Sequence, residues 1–129
     1  MKRILVVDDE ADVREALTRL LSSHGHTVDE ASDGLEALEF LRRDPWVDLV
    51  LLDVMMPEMD GFETLRRLRD LGYARIPVIV MTARFSPLDV AHAHDFGAYV
   101  FIRKPFETAE LLNAIQYVFK ESSTTLPSV

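Results

Sequence analysis

The sequence predicts an α/β fold in which five parallel strands alternate with five helices. Two observations indicate this class. Apolar runs of four to six residues recur along the chain, and the segments between them carry apolar residues at every third or fourth position. Such alternation favours a single parallel sheet with helices on both faces. With 129 residues, of which 48% are apolar, the chain can form one domain with its own core.

The chain begins with a buried strand and a helix. The apolar run Ile4 to Val7 predicts the strand, and the helix is expected over residues 10–24, where apolar side chains return at helical spacing and Gly25 follows as a stop. Residues 27–31 contain few apolar side chains for a central strand. We therefore expect this second strand at an edge of the sheet.

The second helix and the third strand have clearer signals. Asp33 is expected to cap the helix, with Glu36 three residues later at the spacing of a capping box. The inner face of this helix is expected to carry Leu35, Leu38 and Leu41. Residues 49–52 are apolar at every position, which indicates a strand buried on both faces.

The second half of the chain continues the alternation. We expect strands at residues 77–81 and 99–102, and helices from Gly61 to about 72, over 87–97 and over 107–120. Asp60 is expected to cap the first of these helices and Pro87 to open the second. Residues 121–129 contain Ser, Thr and Pro without periodicity, so they are expected to form a flexible tail or linker remnant after a domain over residues 1–120.

Composition excludes several classes of protein. The chain has no cysteine, which rules out a disulfide framework and a thiolate metal site. No apolar run approaches the length of a membrane span, and the run at the N-terminus is interrupted by acids at residues 8–10, so we expect a cytoplasmic protein. A net charge of −8 argues against nucleic-acid binding by this domain.

Polar side chains follow four of the predicted strands at their carboxyl ends. They are Asp8 and Asp9 after the first strand, Asp53 after the third, Thr82 after the fourth and Lys104 after the fifth. In a doubly wound sheet of order 2-1-3-4-5, the first and third strands are neighbours, so three carboxylates meet at one edge. Carboxylates that repel one another favour a hard divalent cation, and Mg²⁺ suits oxygen ligands. The sequence therefore predicts a Mg²⁺ site there.

On these residues the sequence resembles the receiver domains of response regulators, the CheY-like phosphoacceptor domains of two-component signalling. The resemblance covers residues 2 to about 120. It is carried by Val6 to Glu10, Leu51 to Pro57 with Asp60-Gly61, Met81 to Ala83, Gly97-Ala98 and Lys104 to Phe106. Each motif alone is weak, but all five in order are specific. The resemblance implies a flavodoxin-like (βα)5 fold with a parallel sheet of order 2-1-3-4-5.

The resemblance also implies a role for each site residue. Asp53 would be the phosphoacceptor, which attacks phosphorus and forms an aspartyl phosphate. Mg²⁺ would be held by Asp8, Asp9, Asp53 and the backbone carbonyl of Met55. Lys104 and Thr82 would contact the phosphoryl group, and the peptide bond between Lys104 and Pro105 would be cis.

The output implied by the resemblance is a switch. Thr82 and Phe101 would be the switch residues, coupled to the surface of the fourth helix, fifth strand and fifth helix. A histidine kinase or phosphotransfer protein would donate the phosphoryl group, and an output protein or a fused output domain would respond. The domain would assist its own phosphorylation and dephosphorylation without a separate turnover substrate, so it would not be an enzyme. A phosphorylation-dependent homodimer on the same surface stays open.

Two other functions stay open. The first is a Mg²⁺-dependent phosphatase with an aspartyl intermediate, as in haloacid-dehalogenase-like enzymes. Those enzymes usually carry two acids two positions apart on one strand, whereas Asp8 and Asp9 are adjacent and Asp53 is on another strand. The second is an interaction module that has lost phosphorylation, which the presence of every site residue argues against.

Other conspicuous residues are expected to have structural roles. All four histidines are expected at the surface, and Trp46 is expected in packing. Glu10 is expected either as an acid in the first turn of a helix or as a contact to the metal through water.

Overall fold

A computed structural model describes residues 2–56, 59–83 and 87–124 of the chain. Its strands are β1 (Arg3–Val7), β2 (Thr27–Ala31), β3 (Leu49–Asp53), β4 (Val78–Thr82) and β5 (Val100–Arg103). Its helices are α1 (Ala11–Ser23), α2 (Gly34–Arg43), α3 (Gly61–Asp70), α4 (Pro87–Asp95) and α5 (Thr108–Thr124). The last helix continues into the segment expected as a tail, and residues 125–129 lie outside the described residues.

The strands form one parallel sheet of order β2-β1-β3-β4-β5, which confirms the expected topology. The β2 strand lies at an edge, as its composition predicted. In the centre, β1 and β3 pair from Ile4 with Leu49 to Val7 with Leu52. This register brings Asp8 and Asp53, the next residue of each chain segment, to the same end of the sheet.

The core has two layers, one on each face of the sheet. Successive side chains of β3 point to opposite faces of the sheet, and both faces are covered by helices, so its apolar run is uninterrupted. Val50 and Leu52 pack with α2 and α3, whereas Leu49 and Leu51 pack with α1 and α5. Both faces of the central strand are therefore closed to water.

The helix caps lie where the sequence predicts them, but the Glu36 carboxylate bonds to the residue before the cap and not to the cap residue itself. Asp33 accepts a hydrogen bond from the backbone N–H of Glu36 at 2.8 Å, and Asp60 accepts one from that of Glu63 at 2.9 Å. The Glu36 carboxylate accepts a hydrogen bond from the backbone N–H of Ser32 at 2.8 Å, one residue before the cap. Both acids thus set the first turn of their helices, as expected.

Some apolar expectations are wrong. Leu35 is 52% exposed, because the buried stripe of α2 runs through Ala37 and Leu41 and places Leu35 on its flank. Trp46 is 72% exposed in the loop before β3, with the guanidinium of Arg75 5.9 Å from its ring centre. Its neighbour Val47 is buried in its place.

One histidine also departs from expectation. His26 is half-buried against the ring of Phe119, and nothing in the described part of the chain hydrogen-bonds to its buried Nδ1. Burial lowers the pKa of His26, and the positive charges of the N-terminus and His24 lower it further. His24, His92 and His94 are exposed, as predicted.

Candidate functional site

A cleft opens at the carboxyl end of the sheet, where the sequence predicts the site. It encloses about 250 Å³ and is lined by Asp9, Glu10, Asp53, Met55, Ala83 and Lys104. Four segments that are far apart in the chain meet here because β1, β3, β4 and β5 end at the same edge. The predicted acids and lysine are therefore in one place.

Asp8 is completely buried, and each of its polar groups has a partner. Its backbone N–H donates to the carbonyl of Ala31 at 3.2 Å, and its own carbonyl accepts from Nη1 of Arg14 at 2.6 Å. Its Oδ1 accepts from the backbone N–H of Glu10 at 2.9 Å, and its Oδ2 accepts from Nζ of Lys104 at 3.0 Å. These contacts offset the desolvation of a buried carboxylate.

Next to Asp8, two exposed acids complete an acidic cluster. Carboxylate oxygens of Asp8, Asp9 and Glu10 lie within 4.8 Å of one another. Such a set of hard oxygen donors, partly open to water, fits Mg²⁺, which keeps several of its waters. The sequence predicts Asp8 and Asp9 as ligands and leaves the role of Glu10 open. The structure places Glu10 in the same cluster.

Asp53 ends β3 with only 3% of its surface exposed. Its Oδ1 accepts from the backbone N–H of Met55 at 3.1 Å, and its Oδ2 lies 3.7 Å from Nζ of Lys104. The pKa of Asp53 is raised to about 6, mainly by burial; Lys104 and the Met55 amide act to lower it, and the negative charges of Asp8 and Asp9 act to raise it. The carboxylate is therefore mostly ionised at neutral pH but loses its charge in mild acid.

Lys104 connects the two buried acids. Burial acts to lower the pKa of its ammonium group, but the hydrogen bond to Asp8 and the charge of Asp53 prevail, so the pKa is raised and the group stays cationic. The backbone N–H of Lys104 donates to the carbonyl of Thr82 at 2.7 Å. The peptide bond between Lys104 and Pro105 is cis, as the family resemblance implied.

The two expected switch residues lie on neighbouring strands. Thr82 is fully buried at the end of β4, and Phe101 is half-buried on β5 against the core layer that contains α3. Phe101 pairs with Val80 in the sheet, two residues before Thr82. The loop after β4 is described only as far as Ala83, and Pro57 in the motif after Asp53 also lies outside the described residues.

Two contributors to the site were not found from the sequence. A Cβ atom on Gly61 would lie 2.6 Å from both the carbonyl oxygen of Asp53 and the Cα of Val54, so α3 starts directly against the strand end. The sequence places Gly61 in a motif and at the first position of a helix. A side chain is normally tolerated at that position, so the glycine itself was the one sign of this close contact. Arg14, which contacts the Asp8 carbonyl, gave no signal, because its partner is a backbone atom.

Comparison with known proteins points to one family. The model of the response regulator receiver domain family matches residues 4–116. The response regulator MprA of Mycobacterium leprae is 45% identical over 120 residues, which cover 93% of this chain and 52% of that protein. The transcriptional regulatory protein DltR of Streptococcus agalactiae is 41% identical over 121 residues, 94% of this chain and 53% of that protein. The chain spans about half the length of these curated relatives.

Solved structures give the same result. Chemotaxis protein CheY4 of Vibrio cholerae superposes with a TM-score of 0.86 at 33% identity, covering 92% of this chain and 98% of that one. A response regulator receiver domain from Clostridium thermocellum superposes with a TM-score of 0.89 at 27% identity, covering 98% and 100%. In the part of the chain that the structure describes, no helix has the length and apolarity to cross a membrane.

Proposed function

The chain belongs to the response regulator receiver domains of two-component systems, and we propose that it accepts a phosphoryl group on Asp53 with Mg²⁺ bound beside it. One observation carries the proposal. Nζ of Lys104 lies 3.0 Å from Asp8 and 3.7 Å from Asp53, at the edge of a cleft large enough for a phosphoryl group. A nucleophile, a cation and an acidic cluster therefore converge.

The nucleophile would be a carboxylate oxygen of Asp53. One oxygen is held by the Met55 amide, and the other faces Lys104, so the carboxylate cannot rotate freely. An attack forms a bond between this oxygen and phosphorus, while the bond between phosphorus and the donor nitrogen breaks and its electron pair leaves with the histidine of a partner kinase or phosphotransfer protein. The ionised form of Asp53 is required, and it predominates above pH 6 or so.

Mg²⁺ would be held by Asp8, Asp9, Asp53 and the Met55 carbonyl, with Glu10 close enough to contribute directly or through water. When bound, the ion neutralises charge on the phosphoryl oxygens. Lys104 would donate a hydrogen bond to one of those oxygens, since its ammonium group already lies beside Asp53. Because Lys104 also contacts Asp8, it would keep the cluster and the nucleophile in fixed relation.

Signal output would follow from residues on β4 and β5. The Thr82 hydroxyl, at the end of the strand next to Asp53, would donate to the new phosphoryl group, and Phe101 would move inward with it. The change would reach the surface of α4, β5 and α5, where the ring centres of Tyr99 and Tyr117 lie 6.3 Å apart. An output protein, a fused output domain or a second copy of the chain would bind there.

Intact-mass spectrometry tests the phosphoacceptor. The chain is incubated with a small acyl phosphate and Mg²⁺, and we expect a gain of one phosphoryl group. Asp53→Asn and a sample with chelator should show no gain, whereas Asp60→Asn, which changes an acid that caps α3, should gain as the wild type does. Phosphorylation of the Asp53→Asn variant, or no gain in the wild type, would contradict the proposal.

A further inference from the structure

Arg14 lies in the first turns of α1 and contacts the backbone of the loop that leads into the acidic cluster. Its Nη1 donates to the carbonyl oxygen of Asp8 at 2.6 Å, and its Nε donates to Oε1 of Glu30 on β2 at 3.3 Å. The other oxygen of Glu30 accepts from the hydroxyl of Thr18 at 2.9 Å. The Arg14 side chain is only 18% exposed, so these contacts fix it between helix and sheet.

Arg14 bonds to the backbone of Asp8 and leaves its side chain free for other contacts. Arg14 brings a positive charge to an acidic loop but bonds to a carbonyl and not to a carboxylate. The carboxylate of Asp8 thereby keeps its lone pairs for Lys104, for the Glu10 amide and for a cation. A guanidinium placed on the carboxylate itself would compete with a metal for the same oxygens.

We infer that Arg14 is a positioning residue for the Mg²⁺ site. By holding the Asp8 carbonyl, it fixes the turn between β1 and α1 so that the carboxylates of Asp8 and Asp9 converge, and Glu30 orients Arg14 from the edge strand. This inference rests on the proposed function and adds a residue to it. Partners that orient metal ligands from outside typically contribute about 10-fold to 100-fold in metal affinity.

Removal of Arg14 has two effects on Mg²⁺ affinity, and they have opposite signs. Loss of a positive charge beside three acids would strengthen cation binding by simple electrostatics. Loss of an anchor for the loop would weaken it, because the ligands must then be ordered by the ion itself. If positioning dominates, the variant binds Mg²⁺ less tightly despite its more negative site.

The experiment is a calorimetric titration of the full chain with Mg²⁺ alone, in wild type, Arg14→Gln and Arg14→Lys. The matched control is Arg19→Gln, which removes a positive charge from the same helix, where Arg19 is 77% exposed and paired with Glu15. The free energy of unfolding of each variant is measured in urea without metal, so that every titration uses folded protein.

We expect Arg14→Gln to weaken Mg²⁺ binding about tenfold or more. Arg14→Lys, which keeps one donor and the charge, should recover part of the affinity, and Arg19→Gln should match the wild type. Adding Glu30→Gln to Arg14→Gln should cause little further loss, because Glu30 acts through Arg14.

Unchanged or tighter binding by Arg14→Gln would overturn the inference, as would an equal loss in Arg19→Gln. Wild-type protein that is phosphorylated and binds Mg²⁺, combined with an unaffected Arg14→Gln variant, would refute this inference alone. A wild type that binds no Mg²⁺ would refute both it and the proposed metal site.

Discussion

The Asp53→Asn substitution should stabilise the protein at neutral and alkaline pH, because it removes a buried charge. The pKa of Asp53 is raised to about 6 by burial, from about 3.8 in an unfolded chain. Between these values the unfolded state loses a proton that the folded state keeps, so wild-type stability falls as pH rises through this range and stays low above it. Asparagine keeps the shape and can still accept the hydrogen bond of the Met55 amide.

The size of the effect follows from the same pKa. Each tenfold change in proton affinity corresponds to about 1.4 kcal/mol, so the full difference amounts to about 3 kcal/mol. The cleft is open to water, which screens the charge, and we therefore expect a gain of about 1–2 kcal/mol. Urea unfolding in chelator at about pH 8 should show this gain, and at about pH 5 roughly half of it should remain.

A matched substitution separates this effect from a general loss of negative charge. Glu110→Gln changes an exposed acid in the first turn of α5 and should shift stability little at either pH. Equal stability of Asp53→Asn and wild type at about pH 8, or a gain that does not vary with pH, would refute the reasoning that burial of Asp53 is costly.

Three further substitutions test other contacts. Lys104→Met should raise the pKa of Asp53, shift the pH profile of phosphorylation upwards and slow it about 100-fold or more; an unshifted profile would contradict the role of the ammonium group. Gly61→Ala should lower the free energy of unfolding, measured in urea, by about 1–3 kcal/mol. Unchanged stability would show that α3 can shift away from Val54 and that the close contact is not required. Asp33→Ala should cost about 1 kcal/mol through its lost cap, whereas Asp33→Asn should cost little.

Much of this fold follows from local patterns. The runs Ile4 to Val7 and Leu49 to Leu52 indicate strands buried on both faces, and each is followed or ended by an acid that the parallel arrangement brings to one edge. Asp33 and Asp60 define helix starts through hydrogen bonds within four residues of themselves, so their spacing is sufficient to find them. Such features depend on neighbours in the sequence.

Features that the sequence did not predict depend on distant neighbours. Trp46 is expected in packing from its place beside Pro45, but only the arrangement of the loop decides that Val47 and not Trp46 faces the core. The environment of His26 depends on Phe119 of α5, which is far away in the chain. The polar composition after Lys120 suggested a tail, yet α5 continues to Thr124, since extending an existing helix needs no new nucleation.

The direct contact between the start of α3 and the end of β3 has a consequence for how a signal can leave the site. With no side chain at Gly61, two backbones touch, and the Gly61 N–H donates to the Val54 carbonyl at 2.9 Å. Closely packed atoms yield very little, so this side of Asp53 acts as a rigid wall. If Asp53 is phosphorylated as proposed, we therefore expect the displacement to pass to the other side of Asp53, through Thr82 to β5, which would give the response a direction.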